Sequence, residues 1–214
     1  MDTKPQAPTM PVPLFMLSLL YGGMTCIAGV LGSKQVALGP LAVEAGILPF
    51  LLLVAISSTV ARLYGKATAD RLVRFGFVPL VTAIVLTWFV IQLPTDPGMY
   101  EPAKAAFPIV LGQGVRLMIA GIIAYGVSMT LNVLIFSRLA RAGSITVVAG
   151  AVAAMVSQII DTLIFITVSF YGERPIGNLI LGQALAKVTL SLVLVPLLIA
   201  FLVWVAKRLE PQVS

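Results

Sequence analysis

The stretch VSQIIDTLIF (156–165) places a carboxylate in the middle of a long apolar run. Asp161 is the only charged residue between Arg141 and Glu173. Such a run is typical of a helix that crosses a membrane, which needs about 20 apolar residues. A charged side chain at the bilayer centre costs at least about 2.5–3.5 kcal/mol, so Asp161 indicates a functional site or a buried partner.

The composition of the whole chain is that of an integral membrane protein. Its 214 residues are 59% hydrophobic and 10% charged, with a mean hydropathy of +1.06, whereas a soluble domain carries about 25% charged residues. The net charge of +6 is expected to lie in basic loops that fix the topology. We therefore expect the lipid bilayer, and not a nucleic acid, as partner.

The chain offers little for metal, redox or hydrolytic chemistry. It contains no histidine and a single cysteine, Cys26, which excludes an internal disulfide and a cysteine-based metal site. It also has no paired carboxylates and no Gly-x-Ser-x-Gly pattern, so an enzyme is disfavoured. We expect neither a metal nor a cofactor.

Six apolar segments are long enough to cross a bilayer. We therefore predict an all-α polytopic membrane protein with a transmembrane domain over 12–206, a cytoplasmic tail over 1–11 and another over 207–214. The longest predicted loop is 94–108. The predicted spans are 12–33, 44–63, 72–93, 116–138, 145–171 and 177–206.

Basic residues are distributed unevenly between the two sides of this topology. Nine lie on the side of the termini and five on the other, which predicts cytoplasmic termini and a multi-pass protein of the cell inner membrane. The nine are Lys4, Arg62, Lys66, Arg71, Arg74, Arg138, Arg141, Lys207 and Arg208, and the five are Lys34, Lys104, Arg116, Arg174 and Lys187.

Tyrosine–glycine pairs recur at about half the length of the chain. Tyr21 and Tyr125 lie 104 residues apart, and Tyr64 and Tyr171 lie 107 apart. This spacing is compatible with two inverted three-helix repeats, a transporter layout with its binding site near the midplane. The alternative is that Tyr-Gly pairs only mark helix ends.

Small residues are concentrated in the first span, including Gly22, Gly29 and Gly32. Because small residues let helices approach closely in lipid, this span is predicted to be central, and such faces would allow a homodimer. The third span has few polar residues and is predicted to face lipid.

Polar residues on two further spans recur at helical spacing. Gln183 and Lys187 share a face of the sixth span, and Tyr125 and Asn132 share a face of the fourth, with Arg116 at its outer end. Together with Gln158 beside the carboxylate, they exceed what one ion pair requires. Since buried polar groups need hydrogen-bond partners, a ligand or a water-filled cavity is expected among them.

Asp161 and Lys187 each lie 13 residues from Arg174, in the loop between the last two spans. Antiparallel helices joined by a short loop place such positions at equal depth, so the two side chains can face each other. A pair that only fixes the helix register is the alternative to a binding site. Glu44 and Lys34 are expected to form an ion pair at the surface.

Four stretches carry a resemblance to a known family: LYGKATADRLVRFGF (63–77), VRLMIAGIIAYGVSMTLNVLIFSRL (115–139), VSQIIDTLIFITVSFYG (156–172) and LAKVTLSLVLVPL (185–197). Together they resemble the queuosine precursor transporters, also called the VUT or vitamin uptake transporter family. The resemblance implies a six-helix inner-membrane carrier for 7-deazaguanines, chiefly 7-cyano-7-deazaguanine and its aminomethyl relative.

The resemblance also bears on individual residues. It marks Arg116, Gln158, Asp161 and Lys187 as matching the polar positions of the family. The sequence departs from the family pattern where carboxylates are usual. The departures are Ser58, Arg62 and Asn132.

The chemistry of a guanine-type base fits these residues. Its ring N–H and exocyclic amine lie side by side, and a carboxylate such as Asp161 accepts both hydrogen bonds. Lys187 or Gln158 would donate to the ring carbonyl, and Tyr125 or Phe165 would stack on the flat face. The alternative function is a substrate-capture subunit for a small heterocycle or vitamin that needs a separate energising complex.

Overall fold

A computed structural model describes residues 10–38, 41–112, 115–172 and 176–210, which form seven helices and one antiparallel hairpin. The helices are α1 (Val12–Gly32), α2 (Ile47–Tyr64), α3 (Lys66–Gln92), α4 (Glu101–Leu111), α5 (Val115–Arg141), α6 (Thr146–Phe170) and α7 (Gly177–Leu209), and the strands are β1 (Gln35–Leu38) and β2 (Leu41–Glu44).

Every described helix except α4 is long and apolar enough to cross a membrane. The predicted class, a multi-pass helical membrane protein with six spans, is therefore confirmed. One boundary differs clearly: α3 begins at Lys66 and not near residue 72. The reason is that Gly65 alone makes the turn between α2 and α3, with a φ of +82° that glycine adopts without steric cost.

The two ends of the bundle differ in structure. The hairpin lies between α1 and α2, at the end where α3 and α6 finish and α5 and α7 begin; we call this the hairpin end. The opposite end, where α1 begins and α7 finishes, is called the termini end. The turns at Gly65 and Gly143 lie there, both with positive φ.

The segment predicted as the longest loop contains a helix. Residues 101–111 form α4, where the sequence indicated only an irregular connection. Pro102 stands in its first turn, a position that favours helix initiation, and Lys104 forms an ion pair with Glu101 at 2.6 Å.

The second span, and not the first, is the central one. In the most apolar window of α2, 61% of the residues are buried, against 17% in α1 and 6% in α3. The prediction of a central first span was therefore wrong, because only a small share of the residues in α1 is buried. The lipid-facing prediction for α3 agrees with its exposed Phe75 and Trp88.

Tyr21 and Tyr125 meet in the interior, where the Tyr125 hydroxyl donates to the Tyr21 hydroxyl at 2.7 Å. Gly76 on α3 makes room for this contact, since a Cβ there would lie 2.6 Å from a ring carbon of Tyr21. The contact joins the two halves of the chain. The inverted repeat itself stays a prediction.

Candidate functional site

A cavity of about 380 Å³ lies at the hairpin end and reaches the middle of the bundle. Its wall takes residues from all seven described helices and from β2, and most of them are apolar. Ligand pockets in proteins measure roughly 300–1,000 Å³, so this cavity is large enough for a bicyclic base. The charged residues that line it, among those whose side chains the structure describes, are Glu44, Asp161 and Lys187.

Asp161 and Lys187 form the ion pair that their equal depth predicted. The Lys187 ammonium donates to Oδ2 of Asp161 at 3.1 Å. The two residues are only 8% and 5% exposed, so water screens the pair weakly and removal of either partner would leave an uncompensated charge. The pair therefore joins α6 to α7 at the wall of the cavity.

The second carboxylate oxygen of Asp161 is held from α5. The Ser128 hydroxyl donates to Oδ1 of Asp161 at 3.1 Å, and the serine is completely buried. An ionised carboxylate offers about four lone-pair sites. Ser128 and Lys187 therefore fix the orientation of the carboxylate and leave acceptor capacity on both oxygens for a ligand.

Glu44 belongs to this site, although sequence reasoning placed it in a surface ion pair. The Gln183 amide donates to Oε1 of Glu44 at 3.4 Å, and Glu44 lines the cavity. Burial raises the pKa of the Glu44 carboxyl above its ordinary value, against the smaller opposing effects of Lys187 and of the Gln183 hydrogen bond. The sequence does contain one indication that Glu44 has a role, since it is the only acidic residue between Asp2 and Asp70.

Aromatic residues form part of the same wall. Tyr125 lines the cavity, but its hydroxyl is used by Tyr21 and its ring packs edge-on against Phe77, with ring centroids 5.1 Å apart. Phe165 also lines the cavity and packs edge-on against Phe170, at 6.5 Å. The predicted stacking residues are therefore both at the cavity, with Tyr125 the more constrained of the two.

Two predicted site residues lie below the cavity wall. Asn132 and Gln158 are completely buried and do not line the cavity. The Asn132 amide donates to the hydroxyls of Ser57 and Ser58, at 3.0 and 3.3 Å, so it joins α5 to α2. Both polar atoms of the Gln158 amide lack a hydrogen-bond partner among the described residues.

Arg116 is the remaining predicted site residue, and its side chain lies outside the described part of the structure. Among the described residues, no three His, Cys, Asp or Glu side chains form a cluster that could hold a metal ion. The described site therefore consists of charged, hydrogen-bonding side chains that face a mostly apolar cavity.

Comparison with known proteins relates this site to a family. Residues 44–201 match the family described as "Putative vitamin uptake transporter". The "Probable queuosine precursor transporter" of Bacillus subtilis (strain 168) is 29% identical over 157 residues, which cover 70% of this chain and 65% of that relative. The match thus spans slightly less than two thirds of the relative.

No solved structure matches the chain. The family match covers well over half of the sequence and includes Glu44, Asp161 and Lys187. The description of the family is that of a transporter and not of an enzyme. The chain therefore belongs to the vitamin uptake transporter family, as its resemblance to the queuosine precursor transporters predicted.

Proposed function

We propose that the protein is an inner-membrane carrier that imports queuosine precursors, namely 7-cyano-7-deazaguanine or 7-aminomethyl-7-deazaguanine. The observation that carries this proposal is the oriented carboxylate of Asp161 at the wall of a cavity of about 380 Å³. The name of the Bacillus subtilis relative supports the substrate class.

The binding mode follows from the donors and acceptors of the site. Asp161 accepts from the ring N–H and the exocyclic amine of the base, because a charge-assisted pair of this geometry is strong and directional. Lys187 donates to the ring carbonyl, since it lines the same cavity and already contacts Asp161. Phe165 supplies an aromatic surface for the flat face of the base.

In this binding mode the base has no direct contact with three of the predicted site residues, Asn132, Gln158 and Gln183. Gln183 reaches the cavity through Glu44, whereas Asn132 and Gln158 lie one helical turn below its wall. A direct contact of Gln158 or of Arg116 with the substrate stays a prediction.

The orientation in the membrane rests on the sequence prediction of nine basic residues on the side of the termini against five on the other side. In this orientation both termini are cytoplasmic, and the cavity at the hairpin end faces the outside. Reporter fusions at Ser214 and near Pro97 should report opposite sides of the membrane. The same side for both would refute the proposed topology.

Uptake of labelled 7-deazaguanines into liposomes that contain only the purified protein tests the proposal. We expect saturable uptake by the unaltered protein. We expect none by Asp161→Asn, because the amide keeps the volume but presents a donor where the base needs an acceptor. Binding without uptake would favour a capture subunit that needs an energising complex, and normal uptake by Asp161→Asn would refute the binding mode.

A further inference from the structure

We propose that Glu44 is a second substrate-binding carboxylate, which favours a 7-deazaguanine that carries a cationic substituent over a neutral one. This inference rests on the proposed function and deepens it. The family match begins at Glu44 itself, but neither the match nor the name of the relative assigns a role to this residue.

The backbone holds Glu44 in place at the cavity. Glu44 is the last residue of β2 and pairs with Gln35 of β1 in the antiparallel hairpin. Two residues later, Gly46 packs so tightly that a Cβ there would lie 2.8 Å from the Ala28 carbonyl oxygen and 3.0 Å from Gly32 Cα. Because those contacts are with backbone, the end of the hairpin is fixed against α1.

A side chain from α7 supports the carboxylate. Gln183 is 3% exposed and donates to Glu44 from its Nε2. Its Oε1 is buried and has no hydrogen-bond partner in the described part of the chain. Gln183 is not part of the cavity wall, so its hydrogen bond fixes the Glu44 side chain, and the Glu44 carboxylate keeps acceptor capacity for a ligand group that donates several hydrogen bonds, as an ammonium does.

The charges described at the cavity favour a cation. Burial raises the pKa of Glu44, Lys187 lowers it although it is bound to Asp161, and the Asp161 charge raises it slightly. The described charged residues of the wall are therefore two carboxylates and one ammonium. An ionised Glu44 is disfavoured by its burial, and a positively charged ligand group would compensate its charge.

Because of the geometry of the base, the two carboxylates would bind different parts of it. Asp161 would hold the ring N–H and the exocyclic amine, which belong to the six-membered ring. The substituent at position 7 is on the five-membered ring and points away from that edge. An aminomethyl group there is protonated at neutral pH and can donate to Glu44, whereas a cyano group is neutral and has no hydrogen to donate.

Binding measurements on the purified protein in detergent can test this role with two probes, 7-aminomethyl- and 7-cyano-7-deazaguanine. We expect Glu44→Gln to weaken binding of the aminomethyl compound about tenfold or more, because a charge-assisted pair becomes a neutral one, and to change binding of the cyano compound by less than about threefold. Glu101→Gln is the matched control, because Glu101 is an exposed carboxylate on α4; it should leave both values unchanged.

A second variant keeps the test decisive if Glu44→Gln does not fold. Glu44→Asp retains the charge and should keep the preference for the aminomethyl compound, whereas Glu44→Ala should lose it. Equal weakening of both compounds by Glu44→Gln, or no weakening, would overturn the role of Glu44 while leaving the proposed function intact. If the unaltered protein bound neither compound, the proposed function would fail and this inference with it.

Discussion

Two layers of buried polar side chains lie one helical turn apart on α5 and α6, and only one of them faces the cavity. The upper layer contains Ser128 and Asp161, and the lower contains Asn132 and Gln158, about 4.5–6 Å further towards the termini end. In the upper layer, Asp161 lines the cavity and is held by Ser128 and Lys187. In the lower layer, the polar atoms face packed helices.

The difference shows that buried polarity alone does not identify a binding site. Asp161 has both oxygens engaged and still faces empty volume, which a ligand can fill. Gln158 has neither amide atom bonded to a described residue and faces no described cavity, so its burial lowers stability by about 1–3 kcal/mol. Accessible volume, more than polarity, separates a candidate binding group from a buried one.

The largest expected effect concerns the ion pair of the upper layer. Lys187→Met alone leaves the Asp161 charge buried without its partner, and Asp161→Leu alone does the same to Lys187; each should lower stability by about 3–5 kcal/mol. The double variant removes both charges and should recover the thermal stability of the protein in detergent. It should remain inactive in uptake, because the site has lost its acceptor.

Two outcomes of that experiment would count against the site. A double variant with both stability and uptake restored would show that the pair only fixes the helix register. A double variant less stable than either single variant would show that the two side chains do not act as a pair.

The next prediction compares the two layers by means of two matched variants on α5, Ser128→Ala and Asn132→Ala. Ser128→Ala removes a hydrogen bond to a charged acceptor, worth about 1.5–3 kcal/mol, and should reduce the efficiency of uptake about tenfold. Asn132→Ala removes the contacts with Ser57 and Ser58 and should lower stability by about 1–3 kcal/mol with an unchanged KM. Thermal melts and liposome uptake measure both, and an exchange of the two phenotypes would contradict the assignment of the layers.

A smaller effect is expected at Gln158. Gln158→Met keeps the approximate volume and removes two buried polar atoms without described partners, so it should raise stability by about 1–2 kcal/mol. A melting series in detergent measures this gain. A loss of substrate binding by a stable Gln158→Met protein would instead support the direct substrate contact predicted from the sequence.

The smallest effect is the pH dependence of stability due to Glu44. Its pKa is raised in the folded protein, so the folded state binds the proton at higher pH than the unfolded state. Ionisation of this carboxylate therefore lowers stability at pH values above 4.5, its ordinary pKa. The penalty is complete above the raised pKa, decreases as the pH falls through that value and is absent below 4.5. Glu44→Gln should be more stable than the unaltered protein at neutral pH.

The difference in melting temperature between the two proteins isolates this effect, because all their other side chains are identical. The difference should shrink as the pH is lowered towards 4.5. A difference that does not change with pH would show that the charge of Glu44 is not the cause.

The sequence by itself determined the class of the protein and the meeting of Asp161 with Lys187. Both follow from quantities that are read along the chain: the length of each apolar run, and the number of residues between a side chain and the next loop. Apolar runs of sufficient length identify spans because the thickness of the bilayer is nearly constant. Equal distances from the loop between α6 and α7 give equal depth because each helical residue rises by 1.5 Å.

Only the tertiary structure decided which faces of the helices meet the cavity. Lipid is as apolar as a protein interior, so hydropathy does not reveal which helix is central; the first span was predicted to be central, and α2 occupies that place. The role of Glu44 depends on a hairpin that carries it to α7, more than 130 residues later in the sequence. Asp161 lines the cavity and Gln158, three residues earlier on the same helix, does not, because the packing of all the helices decides where the cavity lies.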